Sequence, residues 1–250
     1  MTTLSYQLYS SRNFGPLAKT LKMVAHLGYG QVEGYGALYA SLEDLDGLKA
    51  ALSENGLTMP SGHFSLDMVE QSPDRVLSIA RALDMTHVFV PHLVADQRPK
   101  YDAGWRAFGA RLEAAGKPLK DAGLAFGWHN HDFEFSKTGS AHPLDLILEG
   151  GPELDLELDV AWVVRGGQDP LVWIEKYADR LVAAHVKDIA APGECADEDG
   201  WADVGEGTMD WAGLMAALKA ADCGLFVLEH DNPSDDERFA SRSIAFLNSL

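Results

Sequence analysis

Short apolar runs alternate with longer amphipathic segments along the whole chain, with a repeat of about 30 residues, the size of a βαβ unit. The apolar runs have the length of strands, and the segments between them have the spacing of helices. The predicted strands are Ser5–Tyr9, Gln31–Gly34, Thr58–Ser65, His87–Pro91, Leu124–His129, Leu154–Asp159, Leu181–His185 and Leu225–Glu229. The predicted helices are Pro16–Leu27, Leu42–Ser53, Pro73–Leu83, Tyr101–Ala122, Pro143–Glu149, Pro170–Tyr177, Trp211–Ala221 and Ser234–Leu250. This alternation predicts a parallel sheet covered by helices.

The number of units and the length of the chain together predict the fold class. Eight strand–helix units in 250 residues match a (β/α)8 TIM barrel, which usually needs about 250 residues. We therefore expect an α/β protein with one domain over residues 1–250. A doubly wound open sheet is the alternative, but it would need a glycine-rich phosphate-binding turn after the first strand. Residues 9–15 read YSSRNFG and provide no such turn.

Ionisable side chains follow the apolar part of five predicted strands. They stand in the segments Ser61–His63, Trp128–Glu134, Glu157–Asp159, His185–Asp188 and Glu229–Asp231. In a parallel barrel these carboxyl ends meet at one mouth, where catalytic groups cluster. Because side chains alternate along a strand, we expect His129 and His131 to share a face if the strand continues that far.

One ionisable side chain from each of the last four strands would converge at this mouth, namely His129, Asp159, His185 and Glu229. A set of two imidazoles and two carboxylates suits a divalent ion such as Mn, Co, Zn, Fe or Mg rather than a thiolate-binding metal. Each residue also has a structural interpretation, since Asp159 is a suitable helix N-cap and a strand-end histidine often makes only hydrogen bonds. Their joint occurrence favours a shared site.

Charge and composition exclude several classes of partner. The chain has 38 acidic and 20 basic side chains and a net charge of −18, so we expect no nucleic acid partner, which would require a basic surface. Two cysteines, Cys195 and Cys223, make no disulfide framework. The start shows no signal-peptide pattern, and no apolar run approaches the roughly 20 residues of a membrane span. We therefore expect a cytoplasmic protein without a membrane partner.

Six segments carry a resemblance to a known family. They are residues 127–135 (GWHNHDFEF), 156–162 (LELDVAW), 166–170 (GGQDP), 184–188 (AHVKD), 205–211 (GEGTMDW) and 227–231 (VLEHD). In order and spacing they resemble the sugar phosphate isomerase/epimerase family of the xylose isomerase-like barrel superfamily. The resemblance starts at residues 6–9 and covers nearly the whole chain. It implies a TIM barrel with one divalent metal ion in its mouth and a small-molecule carbohydrate substrate.

The resemblance also implies the metal ligands. The family usually takes them from strands five to eight as Glu, Asp, His and Glu, and Asp159, His185 and Glu229 match the last three. His129 stands where many members carry glutamate, as in the subset that includes inosose-dehydratase-like proteins. His131 and then Glu134 are the alternatives for that position.

The chemistry implied by the family is proton abstraction next to a carbonyl, with a metal-bound enediolate. Glu229 would be both ligand and base, His131 or His63 would carry the proton between oxygens, and Lys187 would hold a hydroxyl or stabilise an oxyanion. The expected substrate contacts are Trp162, Glu134, Glu157 and Trp201. As structural alternatives, Lys187 would pair with Asp188 or Glu157, and Glu157 would only orient a histidine.

His129 bears on the type of reaction. Family epimerases use two metal-bound glutamates as bases, and a metal-bound imidazole is a poor base. An isomerase or epimerase is the leading hypothesis, a dehydratase or other lyase is the alternative, and a non-catalytic sugar-binding barrel is the third. The apurinic endonucleases of the superfamily would need basic DNA-facing loops, which the net charge opposes.

The segment Ala191–Asp210 is the longest predicted loop, rich in acids and containing Trp201. A loop of this length is often a lid or a binding surface, and the alternative is a solvated insertion. We expect Trp201 to be exposed. We leave open a homo-oligomer, in which Trp201 would contribute to a dimer contact.

Overall fold

Eight parallel strands close into a barrel, as the sequence predicts. The computed structural model describes residues 3–41 and 44–250. Its strands are β1 (Ser5–Gln7), β2 (Gln31–Gly34), β3 (Thr58–His63), β4 (His87–Val90), β5 (Ala125–His129), β6 (Asp155–Asp159), β7 (Leu181–Val186), β8 (Asp188–Ile189), β9 (Trp201–Ala202) and β10 (Leu225–Leu228). All except β8 and β9 form the barrel, in the order β1-β10-β7-β6-β5-β4-β3-β2, and β2 pairs with β1 to close it.

Helices surround the barrel and connect successive strands. Within the described residues they are α1 (Leu17–Leu27), α2 (Gly36–Ser41), α3 (Leu45–Glu54), α4 (Leu66–Gln71), α5 (Pro73–Ala82), α6 (Asp102–Asp121), α7 (Pro143–Gly150), α8 (Val160–Arg165), α9 (Pro170–Lys176), α10 (Trp211–Ala220) and α11 (Asp236–Asn248). Proline opens α5, α7 and α9, where a missing N–H costs nothing. In the part of the chain that is described, no helix is long and apolar enough to cross a membrane.

The predicted helix Leu42–Ser53 differs from the structure at its start. Leu42 and Glu43 lie outside the described residues, and α3 begins at Leu45. The Asp44 side chain caps α3 by accepting a hydrogen bond of 2.7 Å from the backbone N–H of Gly47. Because an N-cap residue has non-helical backbone angles, Asp44 stands just before the helix and Leu45 is its first residue.

The interior of the barrel changes from apolar to polar towards the carboxyl ends of the strands. Phe89, Ala183 and Leu225 form a small apolar cluster that is separate from the main core between strands and helices. Two positions after Ala183 on the same face of β7 stands His185, and four positions after Leu225 stands Glu229. The buried polar groups therefore lie above an apolar layer.

The acidic segment Ala191–Asp210 is more ordered than the sequence suggests. β9, inside this segment, pairs antiparallel with β8, which precedes it, and a 3-10 turn at Ala196–Glu198 lies between them. The Asp188 side chain accepts backbone hydrogen bonds from Gly205 and Met209, which fold the segment back onto the barrel. The expectation that Trp201 is exposed is wrong, because this folding leaves its side chain 1% exposed.

Candidate metal centre at the barrel mouth

Four buried side chains converge where β5, β6, β7 and β10 end. They are His129, Asp159, His185 and Glu229, and their candidate ligand atoms all lie within 4.8 Å of one another. His129 and Asp159 are the last residues of β5 and β6, His185 precedes the last residue of β7, and Glu229 follows β10 directly. The structure thus brings together the four residues that the sequence analysis selects as a ligand set.

Asp159 supplies the observation that tests whether a cation fits. Its Oδ1 accepts a hydrogen bond of 3.0 Å from the backbone N–H of Trp162 and so caps α8. Its Oδ2 is buried and has no hydrogen-bond partner among the described residues. This oxygen lies 3.9 Å from Nε2 of His129 and 4.0 Å from Nδ1 of His185. Such separations are too long for hydrogen bonds and fall within the roughly 4.2 Å that two metal–ligand bonds of about 2.1 Å can span at most.

The electrostatics of Asp159 agree with this interpretation. Burial raises the pKa of its carboxyl to about 6, although Lys187 and His185 act in the opposite direction. A buried carboxylate oxygen without a hydrogen bond is costly, and a divalent cation would remove that cost. The donor set therefore fits a divalent ion of the type that binds imidazole and carboxylate.

Two further buried carboxylates hold the histidines from below. Nδ1 of His129 donates to Oε2 of Glu157 at 3.0 Å, and Nε2 of His185 donates to Oε1 of Glu33 at 2.7 Å. Each imidazole therefore turns its other nitrogen towards Asp159. Carboxylates that orient metal-binding histidines in this way also raise their basicity.

A second group of potential ligands overlaps with the first. His63, His129, Glu157 and His185 also have ligand atoms within 4.8 Å of one another. Oε2 of Glu157, however, already accepts hydrogen bonds from Nε2 of His63 at 2.6 Å and from Nδ1 of His129. In this second group His63 and His129 donate their N–H groups to Glu157. We therefore assign Glu157 to orienting the histidines rather than to substrate contact.

Glu33 is the side chain at the candidate site that the sequence alone did not point to. Its carboxylate is fully buried and accepts hydrogen bonds from Nε2 of Gln7 at 2.7 Å and from Oγ of Ser61 at 2.5 Å, besides the one from His185. Burial raises the pKa of Glu33, nearby Glu157 adds to that effect, and the histidines oppose it. The sequence did contain one sign of Glu33, because it is a carboxylate at an inward-facing position of the predicted strand Gln31–Gly34.

Lys187 lies in the interior and contacts three carboxylates. Its Nζ is 2.7 Å from Oδ2 of Asp231, 3.3 Å from Oε2 of Glu229 and 3.5 Å from Oδ2 of Asp159. Burial opposes its charge, but these carboxylates outweigh burial and raise its pKa. Its side chain is fully buried and does not line the mouth cavity. Lys187 is therefore placed to balance carboxylates rather than to hold a substrate hydroxyl.

A cavity of about 490 Å³ opens above the four converging side chains. Of the residues selected from the sequence, the cavity is lined by His63, His129, His131, Trp162 and Glu229. Its other lining residues include Tyr9, Tyr35, His92 and Asp231. This volume lies in the range of about 300–1,000 Å³ typical of small-molecule sites.

His131 reaches the cavity although β5 ends two residues before it. Its ring lies against those of Trp162 and His129, each with a centroid separation of 5.3 Å. Nδ1 of His131 is buried without a hydrogen-bond partner among the described residues. Burial, reinforced by His129, lowers the pKa of His131 well below its ordinary value, so the ring is neutral at pH 7.

Glu134 and Trp201, both expected at the substrate, lie outside the cavity lining. Glu134 accepts hydrogen bonds of 2.9 Å from the indole N–H of Trp128 and from the backbone N–H of His131, and burial raises its pKa to about 8. It therefore shapes the turn that carries His131. Trp201 packs edge-on against Trp162, with the guanidinium of Arg165 on its ring. Both residues support the cavity wall from behind.

Comparisons with known proteins agree with this architecture. The fold is similar to that of a sugar phosphate isomerase/epimerase from Parabacteroides distasonis, with a TM-score of 0.83, 20% identity and coverage of 100% of this chain and 94% of that one. It is also similar to the IOLI protein with a binding zinc atom, with a TM-score of 0.77, 14% identity and coverage of 99% and 97%. At such identities these likenesses show the fold.

A curated relative and a family model extend the comparison to sequence. An inosose dehydratase from Lacticaseibacillus casei is 23% identical over 134 residues, which are 53% of this chain and 44% of that protein. The match thus spans less than half of the relative's length. Residues 21–250 match the family model described as xylose isomerase-like TIM barrel. The chain therefore belongs to the xylose isomerase-like TIM barrel family.

Proposed function

We propose that this chain is a divalent-metal-dependent isomerase or epimerase that acts on a keto-sugar, an aldose or a cyclitol by removing a proton next to a carbonyl. One observation carries the proposal. The unpartnered Oδ2 of Asp159 and the converging His129, His185 and Glu229 stand at the base of an open cavity. The sugar phosphate isomerase/epimerase with the same fold supports the reaction class.

In this proposal the metal is held by Nε2 of His129, Oδ2 of Asp159, Nδ1 of His185 and the Glu229 carboxylate. A bound divalent ion would polarise the substrate carbonyl and make the neighbouring C–H more acidic. The zinc bound by the IOLI protein supports zinc among the candidates Mn, Zn, Co, Fe and Mg.

Glu229 is the proposed proton acceptor because it lines the cavity. Burial alone would raise its pKa, but Lys187 and His185 outweigh burial and hold the pKa well below its ordinary value. The carboxylate is thus ionised at neutral pH, which a proton acceptor must be. Lys187 keeps Glu229 in place through the contact of 3.3 Å described above.

His131 is the proposed carrier of the proton between substrate oxygens. It lines the cavity with an unpartnered Nδ1, and a neutral imidazole can accept a proton on one nitrogen while it donates the proton on the other. His63 also lines the cavity, but its Nε2 is bound to Glu157 at 2.6 Å. We therefore assign the transfer to His131 and a supporting contact to His63.

A dehydratase is the second candidate, and the distribution of charge favours it. The carboxylates that line the cavity, Glu229 and Asp231, both follow β10, whereas the side of β5 presents the imidazoles of His129 and His131. Proton removal from one face by a carboxylate, with an imidazole assisting loss of a hydroxyl, suits an elimination. The similarity to an inosose dehydratase supports this candidate.

Solvent-deuterium exchange tests the proposal. The protein, loaded in turn with each candidate metal, is incubated in D₂O with keto-sugars, aldoses and inososes, and products are followed by NMR and mass spectrometry. Deuterium in an isomerised or epimerised sugar supports the main proposal, and deuterium with loss of water supports the dehydratase. Sugar binding without exchange for any metal would instead indicate a non-catalytic barrel.

A further inference from the structure

We propose that the cavity takes an uncharged, unphosphorylated sugar or cyclitol and excludes phosphate esters. This inference rests on the proposed function and names the substrate class for the same site. It follows from which charged groups line the cavity, which groups neutralise them and where the nearby arginines are held.

The cavity presents anionic groups to its contents. Its lining includes the carboxylates of Glu229 and Asp231, and within the described residues it includes no lysine or arginine. A phosphate ester carries up to two negative charges at neutral pH and is normally bound by arginine, lysine or a row of backbone N–H groups. In this cavity it would meet two carboxylates and the imidazoles of His63, His92, His129 and His131, with no arginine or lysine among the lining residues described.

The one lysine close to these carboxylates within the described chain is already neutralised. Nζ of Lys187 lies 2.7 Å from Asp231 and also contacts Glu229 and Asp159. Its side chain is fully buried beneath the cavity. A phosphate could reach this ammonium group only by displacing Asp231.

A metal ion would not supply the missing positive charge. The proposed centre contains Asp159 and Glu229, and their two negative charges match those of a divalent ion. Asp231 and Lys187 likewise form a neutral pair. Glu33 and Glu157, which contact His185 and His129, add two further buried carboxylates. The site therefore has no surplus positive charge to offer an anionic substrate, which favours a neutral ligand.

Three arginines near the mouth are held outside the cavity by aromatic stacking. None of them lines the cavity, and each also donates to a backbone carbonyl. Their guanidinium groups stand over aromatic rings at 3.2–3.7 Å from the ring centroids: Arg12 over Tyr9, Arg98 over Phe133 and Arg165 over Trp201. These three guanidinium groups therefore already interact with protein groups outside the cavity.

The same lining suits a polyol. Tyr9 and Tyr35 form an aromatic corner with a centroid separation of 5.6 Å, and Trp162 provides a further aromatic face. Apolar C–H faces of a sugar ring pack on such surfaces. The Asp231 carboxylate, with one-quarter of its side chain exposed, can accept hydrogen bonds from substrate hydroxyls.

Matched pairs of neutral and phosphorylated probes test this inference. The Mn²⁺-loaded protein is titrated calorimetrically with D-fructose and D-fructose 6-phosphate, with D-xylulose and D-xylulose 5-phosphate, and with myo-inositol and myo-inositol 1-phosphate. We expect the neutral member of at least one pair to bind at least tenfold more tightly than its ester. Asp231→Asn should reduce this preference several-fold, whereas Glu175→Gln, a change on the exposed surface of α9, should leave it unchanged.

The outcomes separate this inference from the proposed function. A phosphate ester that binds as tightly as its neutral partner, or a cavity that binds none of the neutral probes, overturns the assignment of a neutral substrate. Neutral probes that bind with the expected preference while no sugar in the D₂O panel undergoes exchange would support the substrate class and contradict the proposed reaction.

Discussion

Nε2 of His185 lies 2.7 Å from Oε1 of Glu33, a carboxylate that β2 carries into the interior from three strands away around the barrel. Because a carboxylate accepts hydrogen bonds, this contact places the proton of the imidazole on Nε2. Nδ1 of His185, on the other side of the ring, lies 2.9 Å from Oε2 of Glu229 and 4.0 Å from Oδ2 of Asp159. The contact between Glu33 and His185 therefore fixes the orientation of the His185 ring at the candidate metal centre.

Replacing Glu33 should weaken metal binding without removing a ligand. Glu33→Gln takes away the charge that fixes His185, and loss of such a partner typically costs 10–100-fold in metal affinity. We expect a decrease of about this size in Mn²⁺ affinity by calorimetry, with an unchanged circular dichroism spectrum. Ser61→Ala, which removes one hydrogen bond from Glu33, should have a smaller effect. Equal Mn²⁺ affinity for folded Glu33→Gln and wild type would contradict this role.

Glu229→Gln should abolish proton abstraction, because the amide cannot accept a proton from carbon. We expect deuterium incorporation to fall at least 100-fold, as for removal of a general base of typical strength, while the melting temperature stays near that of wild type. Glu175→Gln, an exposed carboxylate on α9, is the matched control. Exchange at the wild-type rate in Glu229→Gln would remove Glu229 from the mechanism.

Glu198 should make the stability of the protein depend on pH in the acidic range. Burial opposes its ionisation, but hydrogen bonds from Arg238 and Ser234 outweigh burial and lower its pKa to about 2. In the unfolded chain the pKa of glutamate is about 4.3. Because the pKa of Glu198 is lower in the folded protein, its ionised carboxylate stabilises the fold at pH values above about 4.3. This stabilisation is lost as the pH falls towards the pKa of the folded state.

Urea unfolding of Glu198→Gln measures this contribution. The variant breaks a bidentate contact in which both oxygens of Glu198 lie 2.9 Å from the Arg238 guanidinium. We expect a loss of about 2–3 kcal/mol at neutral pH, and a smaller difference from wild type as the pH falls below about 4.3. A difference that does not change with pH would show that the charge of Glu198 contributes nothing.

Gly127 should be intolerant of a side chain for a reason unconnected with the reaction. A Cβ atom at this position would lie 1.9 Å from the backbone oxygen of Asp155, so β6 would have to move. We expect Gly127→Ala to cost about 1–3 kcal/mol in chemical denaturation. Gly224→Ala, just before β10, is the control, because the nearest atom to its Cβ would be the backbone oxygen of Val182 at 3.8 Å, an ordinary contact, and this change should be nearly neutral or stabilising. Equal stability of the two variants would contradict this account of the contact between β5 and β6.

The barrel was predictable from sequence because its signals are local. Strand-length apolar runs and helical spacing recur along the chain, and the structure confirms the eight-stranded barrel they predict. The positions of His129, Asp159, His185 and Glu229 could also be predicted, since parallel strands end at the same side of a barrel. A carboxylate or imidazole directly after an apolar run is visible without any knowledge of contacts.

Glu33 and Trp201 were not predictable in the same way, because their surroundings depend on distant segments. Glu33 approaches His185 only after the barrel closes and places β2 near β7 across the interior. Trp201 stands in an acidic segment that looks solvated, and it becomes buried when β9 pairs with β8. Contacts between segments far apart in the chain have no local pattern in the sequence.

The most direct test of the account is the stoichiometry and affinity of Mn²⁺ binding to wild type and to Asp159→Asn. Asparagine can still cap α8 in place of Asp159, so the fold should persist while the charge facing His129 and His185 is lost. We expect one Mn²⁺ per wild-type chain by calorimetry and elemental analysis, and binding at least 100-fold weaker in Asp159→Asn. No binding of Mn²⁺, Zn²⁺ or Co²⁺ by wild type, or equal affinity in the variant, would contradict a metal centre at these residues.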